Sequence, residues 1–171
     1  LVGNQTPSNN DFIEKYCYND NSDNCLLYGG LYLWNELMQY NINQGLCPPE
    51  WHIPSDADWC VLTQFIDSSV DCGQIGFNGT DAGYLMKATS GWDNGGNGNN
   101  KFGFNAHAGG YRNYEGGFSD LGKSTSFFSS TDYNGYYAWK RTIINDDNRI
   151  NREFNYKDLA SSVRCLKDEG L

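Results

Sequence analysis

The chain has no apolar run approaching the roughly 18 residues that a membrane-spanning helix requires, and none of its segments reads as a span. Basic residues are scarce: 12 Lys and Arg stand against 21 Asp and Glu, for a net charge of -9 over 171 residues. Binding to phosphate backbones or anionic lipid relies on clustered Lys and Arg, so neither nucleic acid nor an anionic membrane is an expected partner. Histidine is limited to His52 and His107, far apart, and no Cys-x-x-Cys occurs, so no zinc ligand set is legible. Proline is rare as well. Three of its four occurrences fall between Cys47 and Pro54, which marks that segment as a turn.

The residues after that turn read as a firmly started helix. Pro54 cannot lie deep in a helix, Ser55 can accept from the first free amides, and Asp58 stands three residues on, a variant of the capping box. Trp59, Leu62, Phe65 and Ile66 then recur at helical spacing and predict one apolar face, with Trp51 packed under the helix start. Leu31, Leu33, Trp34, Leu37 and Met38 predict an earlier helix entered after Gly29-Gly30, and Ala82, Tyr84, Leu85 and Met86 a short third one. Residues 90–100 are too rich in Gly and Asn for regular structure. From Phe102 onward, short aromatic and β-branched runs separated by Gly, Asn and Asp read as strands and turns. Helices first and strands after give an α+β class. Residues 1–15 form a polar N-terminal segment, and residues 16–168 are expected to form a single domain, large enough to be monomeric.

Six cysteines in a Gly-rich, aromatic-rich chain point to an oxidising compartment. Fifteen pairings are formally open to six cysteines. Spacing narrows them to Cys17 with Cys25, Cys60 with Cys72, and Cys47 with Cys165, the last a staple between distant parts of the chain.

Several segments occur in an order that carries a resemblance. They are Cys17 to Cys25, Tyr28 to Trp34, Cys47 to Trp59, Leu85 to Trp92, Phe104-Asn105-Ala106, Gly109-Gly110-Tyr111-Arg112, Ser129-Ser130-Thr131 and Ser162-Val163-Arg164-Cys165. In this order they resemble the Fibrobacter succinogenes major paralogous domain, a family of secreted or surface proteins of Bacteroidetes and Fibrobacteres. The resemblance implies a C-type lectin-like fold in its formylglycine-generating-enzyme-like form: two main helices on a twisted antiparallel sheet with long loops, disulfide-stabilised. Ile53 to Trp59 resembles the Leu-Pro-Thr-Glu-Ala-Glu-Trp signature of that form. Two features depart from the pattern, Ala160-Ser161-Ser162 in place of Gly-Phe-Ser and the added Cys60 and Cys72 pair.

A shared fold does not carry function with it. Formylglycine generation needs a reactive cysteine pair, and here all six cysteines are assigned to bridges. Ser129, His107 and Asp132 assemble into a hydrolytic set only on paper, so no enzyme is expected and no catalytic residue is assigned. The Glu-Pro-Asn, Gln-Pro-Asp and Trp-Asn-Asp motifs of calcium-dependent lectins are missing, and Trp92-Asp93-Asn94 carries the letters in another order. No cofactor or metal is therefore assigned, and calcium has no lectin motif to support it.

The segment from Asp132 to Asp158 mixes Tyr, Trp, Asn, Asp and Arg, the residue palette of binding surfaces. Several proteins of the implied fold are targets of diversity-generating retroelements, which randomise adenine-bearing codons and scatter such residues over a ligand face. On that reading Tyr133, Asn134, Tyr136, Trp139, Arg141, Asn145, Asp147, Asn148, Asn151, Arg152 and Tyr156 are the expected contact positions. The expectation is a secreted or surface-displayed bacterial binding module for a protein or glycan on another cell or surface. A fixed-specificity adhesin or fimbrial assembly subunit is the alternative, and an enzyme on the same scaffold the third reading.

Overall fold

A computed structural model describes residues 1–2, 5–10, 12–40 and 44–168; parts of the polar 1–15 segment and residues 41–43 within the expected domain lie outside these. Four short helices, α1 (Ser22–Tyr28), α2 (Trp34–Leu37), α3 (Asp56–Ile66) and α4 (Ala82–Met86), precede most of the strands. The strands are β1 (Trp51–His52), β2 (Gly76–Asn78), β3 (Gly109–Arg112), β4 (Phe118–Leu121), β5 (Ser124–Asp132), β6 (Tyr137–Ile144), β7 (Ile150–Tyr156) and β8 (Leu166–Lys167). Six of them form one sheet in the order β2-β7-β6-β5-β3-β4, and β1 pairs with β8. The α+β class holds. The sheet is antiparallel except for β3 and β5, which run parallel.

The start of α3 follows from its residues. Ser55 Oγ accepts from the Asp58 amide at 3.1 Å, and Asp58 Oδ2 accepts from the Ser55 amide at 2.8 Å, a complete capping box. Trp59, Thr63 and Ile66 are buried under the helix, but Phe65 is 74% exposed and rests edge-on against Phe102. Six positions on from Trp59, at 3.6 residues per turn, Phe65 lies about 120° around the helix from it. Trp51 is not under the cap either. It pairs with Lys167 as an edge residue, and Ile53 takes the buried place instead.

Of the two main helices expected, only α3 is long. Leu31 and Tyr32 pair with Tyr16 and Ser161 as isolated bridges, so α2 begins only at Trp34, and positive φ at Gln39 and Tyr40 follows its end. Helix α1 went unread. Asn21 caps it by accepting from the Asp23 amide, and Gly29, at φ 85°, ends it with its amide donating a hydrogen bond to the Cys25 carbonyl.

Adjacent residues of β5 serve two cores because side chains alternate across a strand. Phe127 packs with Trp59, Met86, Trp92, Ile143 and Ile150 beneath α3 and α4, while Phe128 packs with Leu37, Met38, Ile53 and Leu159 on the other face. Burying each such side chain is worth roughly 1.5–3 kcal/mol. Helix α4 lies so close to the β6–β7 connection that a Cβ on Gly83 would sit 2.3 Å from the Arg149 carbonyl oxygen. All three expected disulfides are formed, Cys17–Cys25, Cys47–Cys165 and Cys60–Cys72. No helix among the described residues is long and apolar enough to cross a membrane.

Candidate functional site

The connection between β5 and β6 is held by its own short polar side chains. Asp132 accepts from the Gly135 amide and pairs with Lys157, and Asn134 Oδ1 accepts from the amides of Tyr136 and Tyr137 at 3.3 and 3.2 Å. These bonds fix the turn and leave the rings of Tyr133 and Tyr136 outside it; Tyr136 is 77% exposed. The Lys157 ammonium draws the Asp132 carboxyl below the usual carboxylate range.

Strand alternation orders what lies behind the turn. On one face Tyr137, Trp139, Arg141 and Ile143 of β6 stand beside Tyr156, Phe154, Arg152 and Ile150 of β7. Tyr133 stacks flat on Phe154, centroids 4.0 Å apart, and meets Trp139 edge-on at 5.2 Å. Tyr137 lies 4.4 Å from Tyr156, and Tyr156 lies 6.4 Å from Tyr114 of the β3–β4 turn. The Arg152 guanidinium covers Trp139 at 3.7 Å.

Next along this face, Arg141 and Arg152 converge on Asp56 in the first turn of α3, at 2.6 and 2.7 Å. Burial acts to raise the Asp56 carboxyl, but the hydrogen bonds from Arg152 and Arg141 outweigh it and hold the group below its ordinary value. The face thus runs from exposed rings through a shielded ion triad to the apolar core.

The expected contact positions differ in exposure and in what they bond. Arg141 is 2% exposed and braces the sheet against α3, so it presents nothing to a ligand. Arg152 is spent on the same carboxylate and on Trp139. Asp147 is tied to Arg149, and Asn151 lies half-buried with its Oδ1 unpartnered. The eleven positions do not share one surface. Tyr133, Asn134, Tyr136, Trp139 and Tyr156 gather at one end of β6, whereas Asn145, Asp147 and Asn148 sit at the other, roughly 25 Å away at about 3.3 Å per residue.

Tyr114 was missed because it lies outside the chosen window. It is 68% exposed at the tip of a turn in which Asn113 Oδ1 accepts from the amides of Glu115 and Gly117. An aromatic inside Asn113-Tyr114-Glu115-Gly116-Gly117 was a readable signal for a displayed ring. Tyr114, Tyr156 and Asp158 line a cleft of about 380 Å³, and Tyr114 and Asp158 also border a neighbouring hollow lined by Glu115 and Arg112. Chemically, the arrangement offers π faces for stacking and carboxylates that accept from hydroxyl or ammonium donors.

The other candidate chemistries are not brought together. Ser129 Oγ donates to the Trp139 carbonyl, Asp132 is held by Lys157, and His107 bonds Asn105. Trp92 is buried with its indole N–H on the Ala106 carbonyl. The carbonyls of Asn145 and Asp147 turn inward onto the ammonium of Lys87, which is fully buried. Among the described residues no group of three or more His, Cys, Asp or Glu could hold a metal ion.

The crosslinks, the mixed sheet and the tyrosine-rich end define a disulfide-bonded α+β domain with an exposed aromatic surface. The chain belongs to the Fibrobacter succinogenes major domain family, whose model matches residues 3–167. No curated protein and no solved structure matches it.

Proposed function

We propose that the domain is a secreted or surface-displayed binding module that acts by recognition, not catalysis, and takes a protein or glycan ligand on the surface formed by Tyr114, Tyr133, Tyr136 and Tyr156. One observation carries this reading: three separate chain segments bring exposed tyrosines to one end of the sheet, and hydrogen-bonded turns hold two of the segments in place. Rings ordered before binding lose little entropy on contact, and aromatic anchors dominate binding energies. Three disulfides suit an oxidising, extracellular setting. The capped helix α3 and the Cys47–Cys165 link support a C-type lectin-like arrangement of the resembled form.

A fixed-specificity adhesin is favoured over a diversified receptor by the structural work that Arg141, Arg152, Asp147 and Asn134 perform. Randomising these codons would damage the scaffold, which leaves Tyr133, Tyr136 and Tyr156 as the freest positions. Sequencing the gene across its source population separates the two, since adenine-borne changes confined to residues 132–158 mark a diversified receptor.

The binding surface itself is tested by combining Tyr114→Ala, Tyr136→Ala and Tyr156→Ala and screening glycan arrays and purified surface proteins against the parent domain. Loss of at least about tenfold in affinity, with thermal stability nearly unchanged, is expected from removing exposed aromatic anchors. Undiminished binding by the triple variant would assign recognition to another surface.

A further inference from the structure

A second cleft opens toward the other end of β5. It holds about 320 Å³, and Tyr28, Tyr32, His107, Thr125, Ser162 and Arg164 contribute its polar lining. Among the described residues no acid lines it, in a chain with 21 Asp and Glu. Its size falls at the lower end of small-molecule pockets.

Arg164 lies against the rings of Phe104 and Phe127, 4.9 and 6.0 Å from their centres. Its Nη2 donates to the carbonyls of Phe104 and Asn105, and among the described residues Nε and Nη1 make no hydrogen bond and no carboxylate pairs with the guanidinium. Arg141, Arg149 and Arg152, in contrast, each meet an aspartate. Thr125 is 1% exposed, and its Oγ1 has no hydrogen-bond partner. A buried hydroxyl without a partner calls for an explanation, because its desolvation is uncompensated. Asn105 Nδ2 lies 3.1 Å from His107 Nε2. Among the described residues the cleft therefore combines a guanidinium without a carboxylate partner, hydroxyl donors and an imidazole, with no competing acid.

We propose that this cleft binds the carboxylate of a small polar molecule, with Arg164 as its charge partner and the Thr125 and Ser162 hydroxyls as hydrogen-bond donors to it. The site is separate from the tyrosine surface and does not depend on the function proposed there. The carboxylate can belong to an acidic sugar or to a short organic or peptide acid, and both present the same planar anion to a guanidinium.

The test is titration of the intact domain with glucuronate and N-acetylglycine, with glucose and N-acetylglycinamide as uncharged controls, followed by calorimetry and by amide chemical shifts. At least one acid is expected to bind, shifting amides around Thr125 and Ser162, while its uncharged counterpart does not. Binding of glucuronate alone assigns an acidic sugar; binding of both assigns the carboxylate itself. Arg164→Gln should weaken binding about tenfold or more, and Thr125→Val, which keeps shape and removes only the unpartnered hydroxyl, about fivefold. Should Arg164→Gln unfold through loss of its bonds to Phe104 and Asn105, Thr125→Val carries the test alone. Equal binding of acids and controls, no binding of either acid, or affinities untouched in the folded variants would overturn the proposal. The tyrosine triple variant should bind these acids as the parent does.

Discussion

Asp67 closes α3 with a carboxylate that takes hydrogen bonds from Ser69, from the amides of Thr80 and Asp81, and from the Thr80 hydroxyl. Burial alone would raise this carboxyl; the bonds outweigh it and hold the group far below its ordinary value. A depressed carboxylate contributes stability that is fully present above its unfolded value of about 3.9 and is lost as pH falls through the folded value. Asp67→Asn should therefore cost about 1–3 kcal/mol at neutral pH, through donors left without an acceptor. It should also flatten the acid limb of stability below about pH 5. Urea unfolding at a series of pH values measures both, and a variant that keeps the parent's acid limb would remove Asp67 as its cause. At this scale the sequence was readable where a residue's role is local. The Ser55-Asp58 cap stands where expected, and Tyr133, Tyr136 and Tyr156 are exposed. Arg141 misled because it shares a face with Trp139 but lies where α3 covers that face, and its partner there, Asp56, stands 85 residues earlier in the chain.

Among elements, the contact of α3 with the β6–β7 hairpin rests on one aspartate shared by two arginines. Removing Asp56 leaves the Arg141 guanidinium buried with no counter-charge, an uncompensated state that costs about 3–5 kcal/mol. Arg152→Ala leaves Arg141 still paired and should cost clearly less, mainly through lost cover over Trp139. A double-mutant cycle between Asp56→Ala and Arg141→Met tests the link. The double variant is expected to be more stable than Asp56→Ala alone, and additive losses would show that the two residues act independently. Element order was legible in the same local sense: α3, α4 and the run of strands after Phe102 follow from caps, spacing and turn residues. Long-range pairing was not. The pairing of β2 with β7, the parallel contact of β3 with β5 and the bridges that shorten α2 depend on partners far away in sequence, and no short window encodes them.

For the whole molecule, the segment that leads into α3 is joined twice to the C-terminal strand, by the pairing of β1 with β8 and by Cys47–Cys165 across 118 residues. The tyrosine surface lies within that span, and so do His107, Thr125, Ser162 and Arg164 of the carboxylate cleft, whereas its Tyr28 and Tyr32 precede it. In the chain-entropy description, a link over that length restrains the unfolded chain by about 4–5 kcal/mol, against about 3 kcal/mol for a loop as short as that of Cys60–Cys72. Cys47→Ser with Cys165→Ser should thus destabilise the domain more than Cys60→Ser with Cys72→Ser, and chemical denaturation of the two double variants measures the difference. The long link also holds Arg164 beside Phe104, as the residue next to Cys165. Its removal should therefore broaden amide signals at the carboxylate cleft while leaving those of Tyr133 and Tyr136, fixed by their own turn, sharp. An equal loss of stability in both variants would place the restraint in the β1–β8 pairing and the surrounding core, with the disulfide only recording their proximity.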